Sequence, residues 1–165
     1  MLRARQKIGK YRILGRIAKG PMANVYRAYD TIQNQKVALK LPKVDDAAGE
    51  KEFLHEVRVA TKLRHPNILS VLNASYIDDH IVIAMELGEE TLADRIERRT
   101  STVKALDLAS QGIAALAHAH ARKIIHCDIK PENFILFPEN RLKLADFGFA
   151  KISLRTLKAS GSGTI

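Results

Sequence analysis

Two short polar clusters, HCDIKPEN at 126–133 and DFG at 146–148, stand among the apolar runs KIIH, NFILF and RLKLADF, and this alternation constrains the fold more than any other feature of the chain. Short apolar runs bounded by turn signals read as small buried strands. Charges placed between such strands are presented rigidly at one edge of a cleft. Asp128, Lys130, Asn133 and Asp146 are then hard oxygen and ammonium groups on a fixed frame. Magnesium prefers one or two carboxylate or carbonyl ligands together with phosphate oxygens, which Asn133 and Asp146 can supply, while Asp128 is a spare carboxylate able to accept a hydroxyl proton. The clusters read as a kit for phosphoryl transfer.

Upstream, 11–17 (YRILGRI), 24–30 (NVYRAYD) and 36–41 (KVALKL) are rich in Val, Ile and Tyr and are separated by turn residues, which predicts an antiparallel meander. The apolar spacing of Phe53, Val57, Ala60 and Leu63 predicts an amphipathic helix over 50–63. HPN at 65–67 ends it, and ILSVLNASYI and HIVIAMEL follow as two strands joined by a turn at Asp78 and Asp79. The first 87 residues therefore predict a five-stranded sheet with one helix. Beyond them the pattern turns helical: a short helix in LGEETLADRIERR, then a long Ala-rich one over 101–122 with Val103, Leu106, Ile113, Leu116 and His120 on one side.

At 165 residues, 46% apolar and 27% charged, the chain suits one domain or a piece of one and excludes disordered and collagen-like classes. Cys127 is the single cysteine, so no internal disulfide can form, and a reducing cytoplasm is the simplest setting. The basic start has no apolar core of a signal peptide, and no run approaches the ~18 apolar residues of a membrane span. No membrane segment is expected in this chain. The net charge of +9 is uneven: residues 1–43 hold 11 Lys or Arg against Asp30 alone, and 44–165 hold 16 against 17 acids. That excess lacks interleaved aromatics and any helix-turn-helix or zinc pattern, so we expect solvated charge or attraction to polyanions, nucleotides included, and no specific nucleic-acid partner.

Taken in chain order, a loop at 17–25, VALK at 37–40, a helix glutamate at 56, HPNI at 65–68, a hinge near 85–88, DIKPEN within 126–133 and DFG at 146–148 resemble the Ser/Thr protein kinases, close to the eukaryotic-like enzymes of bacteria. Alone, VALK is as readily a surface lysine; the ordered set is what carries the resemblance. The resemblance implies an α+β, two-lobe fold: a basic N-terminal extension (1–10), a small lobe of five antiparallel strands and one helix (11–87), and a mostly helical, incomplete large lobe with the catalytic loop and the start of the activation segment (88–165). It further implies ATP and Mg2+ as cofactors and a protein Ser/Thr hydroxyl as acceptor. Lys40 would grip the α and β phosphates and pair with Glu56. Asp128 would orient the acceptor hydroxyl, Lys130 would face the γ-phosphate, and Asn133 and Asp146 would hold magnesium. Ile17, Val25 and Ala38 would roof an adenine slot floored by Ile135 and backed by Met85, with the Glu86 carbonyl and Gly88 amide bonding the ring edge. His126 and Phe147 would pack on Ala60 and Val71.

The sequence also departs from the family. Of three loop glycines only Gly20 is present, with Ala18, Pro21 and Ala23 nearby, so weaker ATP contact is expected. Cys127 replaces the usual arginine, which removes the anchor for a phosphate on the activation segment; one Cys beside one His lacks the partners for metal or nucleophilic work. Ser153, Thr156, Ser160 and Ser162 lie near Lys151, Arg155 and Lys158, where a phosphate would find charge partners. The chain stops at GSGTI, with Thr164 matching a threonine that contacts the catalytic Asp and Lys, so a truncated domain is expected, one needing its missing helices or self-association. The alternative function is an inactive nucleotide-binding or scaffold fragment.

Overall fold

The computed structural model describes residues 3–43, 47–78, 80–147 and 151–152. Alternation along the first part of the chain sets up its main layer: β1 (Lys7–Ile8), β2 (Tyr11–Lys19), β3 (Ala23–Asp30) and β4 (Gln35–Pro42). The helix α1 (Ala47–Ala60) follows, then β5 (Val71–Ile77) and β6 (His80–Glu86). The strands form one antiparallel sheet in the order β1-β2-β3-β4-β6-β5. All five expected strands are present. The basic stretch before Tyr11 adds a sixth at the edge, where Ile8 pairs with Tyr11 and is buried.

Period-two alternation gives the sheet two different faces. Tyr26, Ala28, Val37, Leu39, Val82 and Ala84 share one apolar cluster with Ile8, Tyr11 and Ile13. Val25 lies opposite Lys40, Arg27 opposite Ala38, and Ala38 opposite Met85, so these residues share the other face. On that face α1 packs Phe53 against Ala23, Ile81 and Ile83. Burying a side chain such as Phe53 is worth about 1.5–3 kcal/mol. Asp30 closes the β3–β4 turn: its carboxylate accepts from the Ile32 and Gln33 amides, each at 3.0 Å, and from Lys10 at 2.8 Å. Asp78 adopts φ 47 at the β5–β6 turn, the left-handed region that Asp tolerates; its expected partner Asp79 lies outside the described residues.

The remaining elements are β7 (Glu90–Thr91), α2 (Leu92–Ile96), α3 (Thr102–Ala121), β8 (Ile124–Ile125), β9 (Phe134–Phe137), β10 (Arg141–Leu144) and β11 (Lys151–Ile152). They form a small sheet, β10-β9-β7, and a pair, β11-β8. Thr91 opens α2 with a reciprocal cap: its hydroxyl accepts from the Asp94 amide at 3.1 Å while Asp94 accepts from the Thr91 amide at 3.0 Å. The apolar side of α3 differs from the one its large residues suggest. Leu108, Gly112, Ala115 and Ala119 turn inward, while Val103, Leu106 and Ile113 are exposed, Val103 by 79%. Small inward residues let α3 approach β9 and β10, where Phe134, Leu136, Leu142 and Leu144 complete the core with Val59, Leu63, Ile68 and Phe147.

Partly buried polar groups meet at the edge of this core. The Gln111 side-chain oxygen on α3 accepts from the Leu142 amide at 2.7 Å and from Asn67 Nδ2 at 3.0 Å. Asn67 Nδ2 also donates to the Leu142 carbonyl at 2.8 Å, and the Leu144 amide donates to the Asn67 carbonyl at 2.8 Å. The HPNI stretch thereby fastens the first sheet's helix to the strand leading into Asp146. Gly148, Ser153, Thr156, Ser160, Ser162 and Thr164 lie outside the described residues, and of Lys151 only the backbone is described.

Candidate active site

Lys40 extends from β4 on the cleft side, and α1 brings Glu56 to it because Glu56 follows Phe53 by one helical turn and so shares its sheet-facing side. The ammonium donates to Glu56 Oε1 at 2.6 Å and to Asp146 Oδ1 at 3.0 Å, and it lies 5.0 Å from the Phe53 ring centroid. Burial opposes the charge on Lys40, but the two carboxylates outweigh it and raise its pKa. Glu56 is pushed up, chiefly by burial, with the Asp146 charge adding to it against the pull of Lys40. One cation thus serves two carboxylates, and the Asp146 side chain, 41% exposed, is the one that reaches open space.

The second cluster forms on the loop between β8 and β9. Asn133 is buried and gives its side-chain amide twice to Asp128, to the carbonyl at 2.8 Å and to Oδ2 at 3.0 Å. Asn133 Oδ1 is left as the atom that can take a cation. Lys130 Nζ also reaches Asp128 Oδ2 at 2.7 Å, and this hydrogen bond is the main reason the Asp128 pKa lies below its ordinary value. His126 holds the loop to the Asp146 segment: one ring nitrogen is 2.9 Å from the Ala145 carbonyl and the other accepts from the Asp128 amide at 3.3 Å. That pattern places the ring proton on Nε2 and fits a neutral imidazole, in line with a pKa lowered by burial. Cys127 and Asp146 both have positive φ, 65 and 61, a region that Asp tolerates and that is strained for Cys.

Between the sheet and this loop lies a cleft of about 360 Å³. Ile17, Val25, Ala38, Met85, Glu86, Gly88 and Ile135 line it, together with Lys40, Glu56, Asn133 and Asp146. The β2 irregularity between Arg16 and Ala18 leaves Ile17 unpaired, which turns it toward the cleft. Gly88 is required by close approach: a Cβ there would stand 2.7 Å from the Leu136 carbonyl and collide with Ile135. Leu87 of the expected hinge lines the cleft too, as do Leu69 and Ala145, which sequence reasoning missed. Asp128, Lys130 and Gly20 are not among its lining residues. Phe147 meets the His126 ring edge-on at 4.7 Å and sits in the cluster of Val59 and Leu63, whereas Val71 belongs to the Phe53 cluster.

A family model described as the protein kinase domain matches residues 11–164. The chain belongs to the protein kinase domain family. Among the relatives of this kinase domain, serine/threonine-protein kinase PrkC of Bacillus subtilis is 38% identical over 157 residues, covering 91% of this chain and 24% of that protein. The carbon catabolite-derepressing protein kinase of Saccharomyces cerevisiae is 36% identical over 152 residues (88% and 24%), and serine/threonine-protein kinase 36 of Pongo abelii 32% over 146 residues (86% and 11%). The chain therefore spans a quarter or less of these relatives' length.

Two departures of this kinase domain from its family have visible local structure. The Gly20 amide donates to the Ala23 carbonyl at 2.9 Å, so the glycine-poor loop closes on itself, and Lys43 Nζ donates to the Gly20 carbonyl at 2.6 Å. Cys127 is exposed, its thiol 3.5 Å from the Ile125 carbonyl. Among the described residues no helix is long and apolar enough to cross a membrane.

Proposed function

We propose that this chain is the catalytic region of an ATP- and magnesium-dependent protein serine/threonine kinase, residues 11–87 and 88–165 forming its two lobes. The observation that carries the reading is the convergence of Lys40, Glu56 and Asp146 on one ammonium, beside an apolar slot and opposite the Asp128, Lys130 and Asn133 cluster. The donor set fits the cofactors. An adenine needs an apolar slot with few polar contacts, which Ile17, Val25, Ala38, Met85 and Ile135 offer, with backbone of Glu86 and Gly88 along one wall. Magnesium needs hard oxygens, which Asn133 Oδ1 and the exposed Asp146 carboxylate supply. Held by those two residues, it would supply positive charge that offsets the negative charge of the phosphates during transfer.

The residues of the chain do the rest by position. Lys40, kept charged by Glu56 and Asp146, would hold the α and β phosphates. Asp128, kept ionised by Lys130, is a weak base and would orient the acceptor hydroxyl rather than strip it early, as suits a loose phosphoryl transition state. Lys130 would then lie between Asp128 and the transferred group. A single, exposed, free cysteine suits a reducing compartment, and we place the protein in the cytoplasm.

A second reading, nucleotide binding without transfer, is favoured by one observation: the Gly20 amide is spent on Ala23 within the loop. Titration of the chain with magnesium-ATP, followed by phosphoamino-acid analysis of a generic protein acceptor, separates the two. Phosphoserine or phosphothreonine supports the kinase; saturable binding with no product supports the second reading; absence of binding overturns both.

A further inference from the structure

We propose that Glu86 and Lys143 form a latch that fixes the wall of the nucleotide slot, with Lys143 as its positioning residue; this rests on the nucleotide-binding reading above. Lys143 lies on β10, where a strand lysine would ordinarily face water, yet it is only 8% exposed. Its ammonium donates to both carboxylate oxygens of Glu86, each at 2.7 Å, and lies 5.1 Å from the Phe137 ring centroid. The same carboxylate accepts from the Ser70 amide at 2.9 Å. One side chain therefore joins three segments: the start of β5, the end of β6 and β10.

Each segment bears on the slot. Glu86 ends β6 and is followed directly by Leu87 and Gly88, which line the cleft. Lys143 lies directly across the strand pair from Ile135, another lining residue, and precedes Asp146 by three residues. The strand-end backbone is tied in parallel, the Glu86 amide to the Ser70 carbonyl at 3.3 Å and the Glu89 amide to the Leu136 carbonyl at 2.8 Å. An apolar pair would hold these segments together without fixing their angle, whereas a chelated ammonium fixes register and direction. Burial disfavours the Glu86 carboxylate, but Lys143 and Ser70 outweigh it and hold the Glu86 carboxyl below its ordinary range. A slot wall held in place before binding spares the nucleotide the cost of ordering it.

The test uses Lys143→Met, which keeps an unbranched apolar side chain and removes the charge, and Lys143→Arg, which can restore a fork to the carboxylate. Amide exchange at Glu86 and Glu89 is expected to speed up about tenfold in Lys143→Met while Tyr26 and Leu39 are unchanged. Magnesium-ATP affinity, measured by titration calorimetry, is expected to fall about tenfold, kcat to change less than about twofold, and Lys143→Arg to recover most of both losses. Unchanged exchange at Glu86 and Glu89, or equal acceleration through β3 and β4, overturns the latch. Faster local exchange with unaltered affinity overturns its role at the slot. A wild-type chain that binds no magnesium-ATP overturns the nucleotide reading and, with it, any role for the latch at that slot, whereas the exchange result decides by itself whether the latch holds the backbone.

Discussion

Asn133 donates its side-chain amide twice to Asp128, at 2.8 Å to the carbonyl and 3.0 Å to Oδ2, so the residue suited to a cation also aims the residue suited to the acceptor hydroxyl. The two roles are mechanically coupled through one buried amide. Asn133→Ala is therefore expected to lower transfer by more than loss of metal affinity explains. Raising magnesium should restore only part of the rate, and a rate fully restored at saturating magnesium would show that Asn133 does not aim Asp128.

Lys40→Met removes the cation that pairs with both Glu56 and Asp146. Removing a charge that stabilises a transferring group costs about 10²–10³-fold in rate, and the same is expected here. Because two carboxylates then face each other without a counter-ion, thermal stability should fall as well. Steady-state kinetics beside a melting curve checks both.

Gly88→Ala places a methyl 2.7 Å from the Leu136 carbonyl and against Ile135. Overpacking of this kind costs about 1–3 kcal/mol. The melting temperature is expected to drop and magnesium-ATP affinity with it, since the strain falls on the slot wall. An unperturbed melting curve would mean that β9 moves aside freely.

Gln111→Ala withdraws the acceptor of the buried Leu142 amide and of Asn67 Nδ2. An unsatisfied buried donor costs about 1–3 kcal/mol, which urea denaturation reads as a lower midpoint at unchanged slope. The site itself contains none of these groups, so nucleotide affinity should change less than stability.

Acid should loosen the fold near neutrality. His126 is held neutral by burial, its pKa below the ordinary 6.5, and protonation would turn a second N–H toward the Asp128 amide. A histidine depressed in the folded state binds its proton first in the unfolded chain, so its contribution is full above the unfolded value and is lost as pH falls through the folded one. His118, lowered by burial and then by Arg122 and His65, adds in the same direction. Melting temperature is expected to decline below about pH 6.5, less steeply in His126→Phe. A flat profile from pH 7 to 5 would contradict the assignment.

The sequence shows the site more clearly than the frame that holds it. Asp128, Asn133 and Asp146 stand out because polar groups among apolar strands are costly unless used, Lys40 and Glu56 are legible only through the order of the motifs, and the structure brings all five into two adjoining clusters. The α3 packing face was hidden because Leu108, Gly112, Ala115 and Ala119 are mostly small, while the exposed Val103, Leu106 and Ile113 dominate the apolar pattern. The Asn67–Gln111–Leu142 hub and the Glu86–Lys143 pair were not legible either. They join residues 31 to 75 positions apart, and local periodicity carries no record of which distant carbonyl a side chain will meet. The two-residue β1 is too short to leave any pattern.

The most direct test of the account is transfer of labelled γ-phosphate from magnesium-ATP to a generic protein acceptor by this chain and by its Asp128→Asn variant. Asn keeps the shape of the side chain and the bond from Asn133 while removing the charge paired with Lys130. The account predicts label on serine or threonine with the wild-type chain, and loss of that label in the variant with magnesium-ATP binding retained. Equal transfer by both proteins, or none by a folded wild-type chain that binds magnesium-ATP, would contradict it.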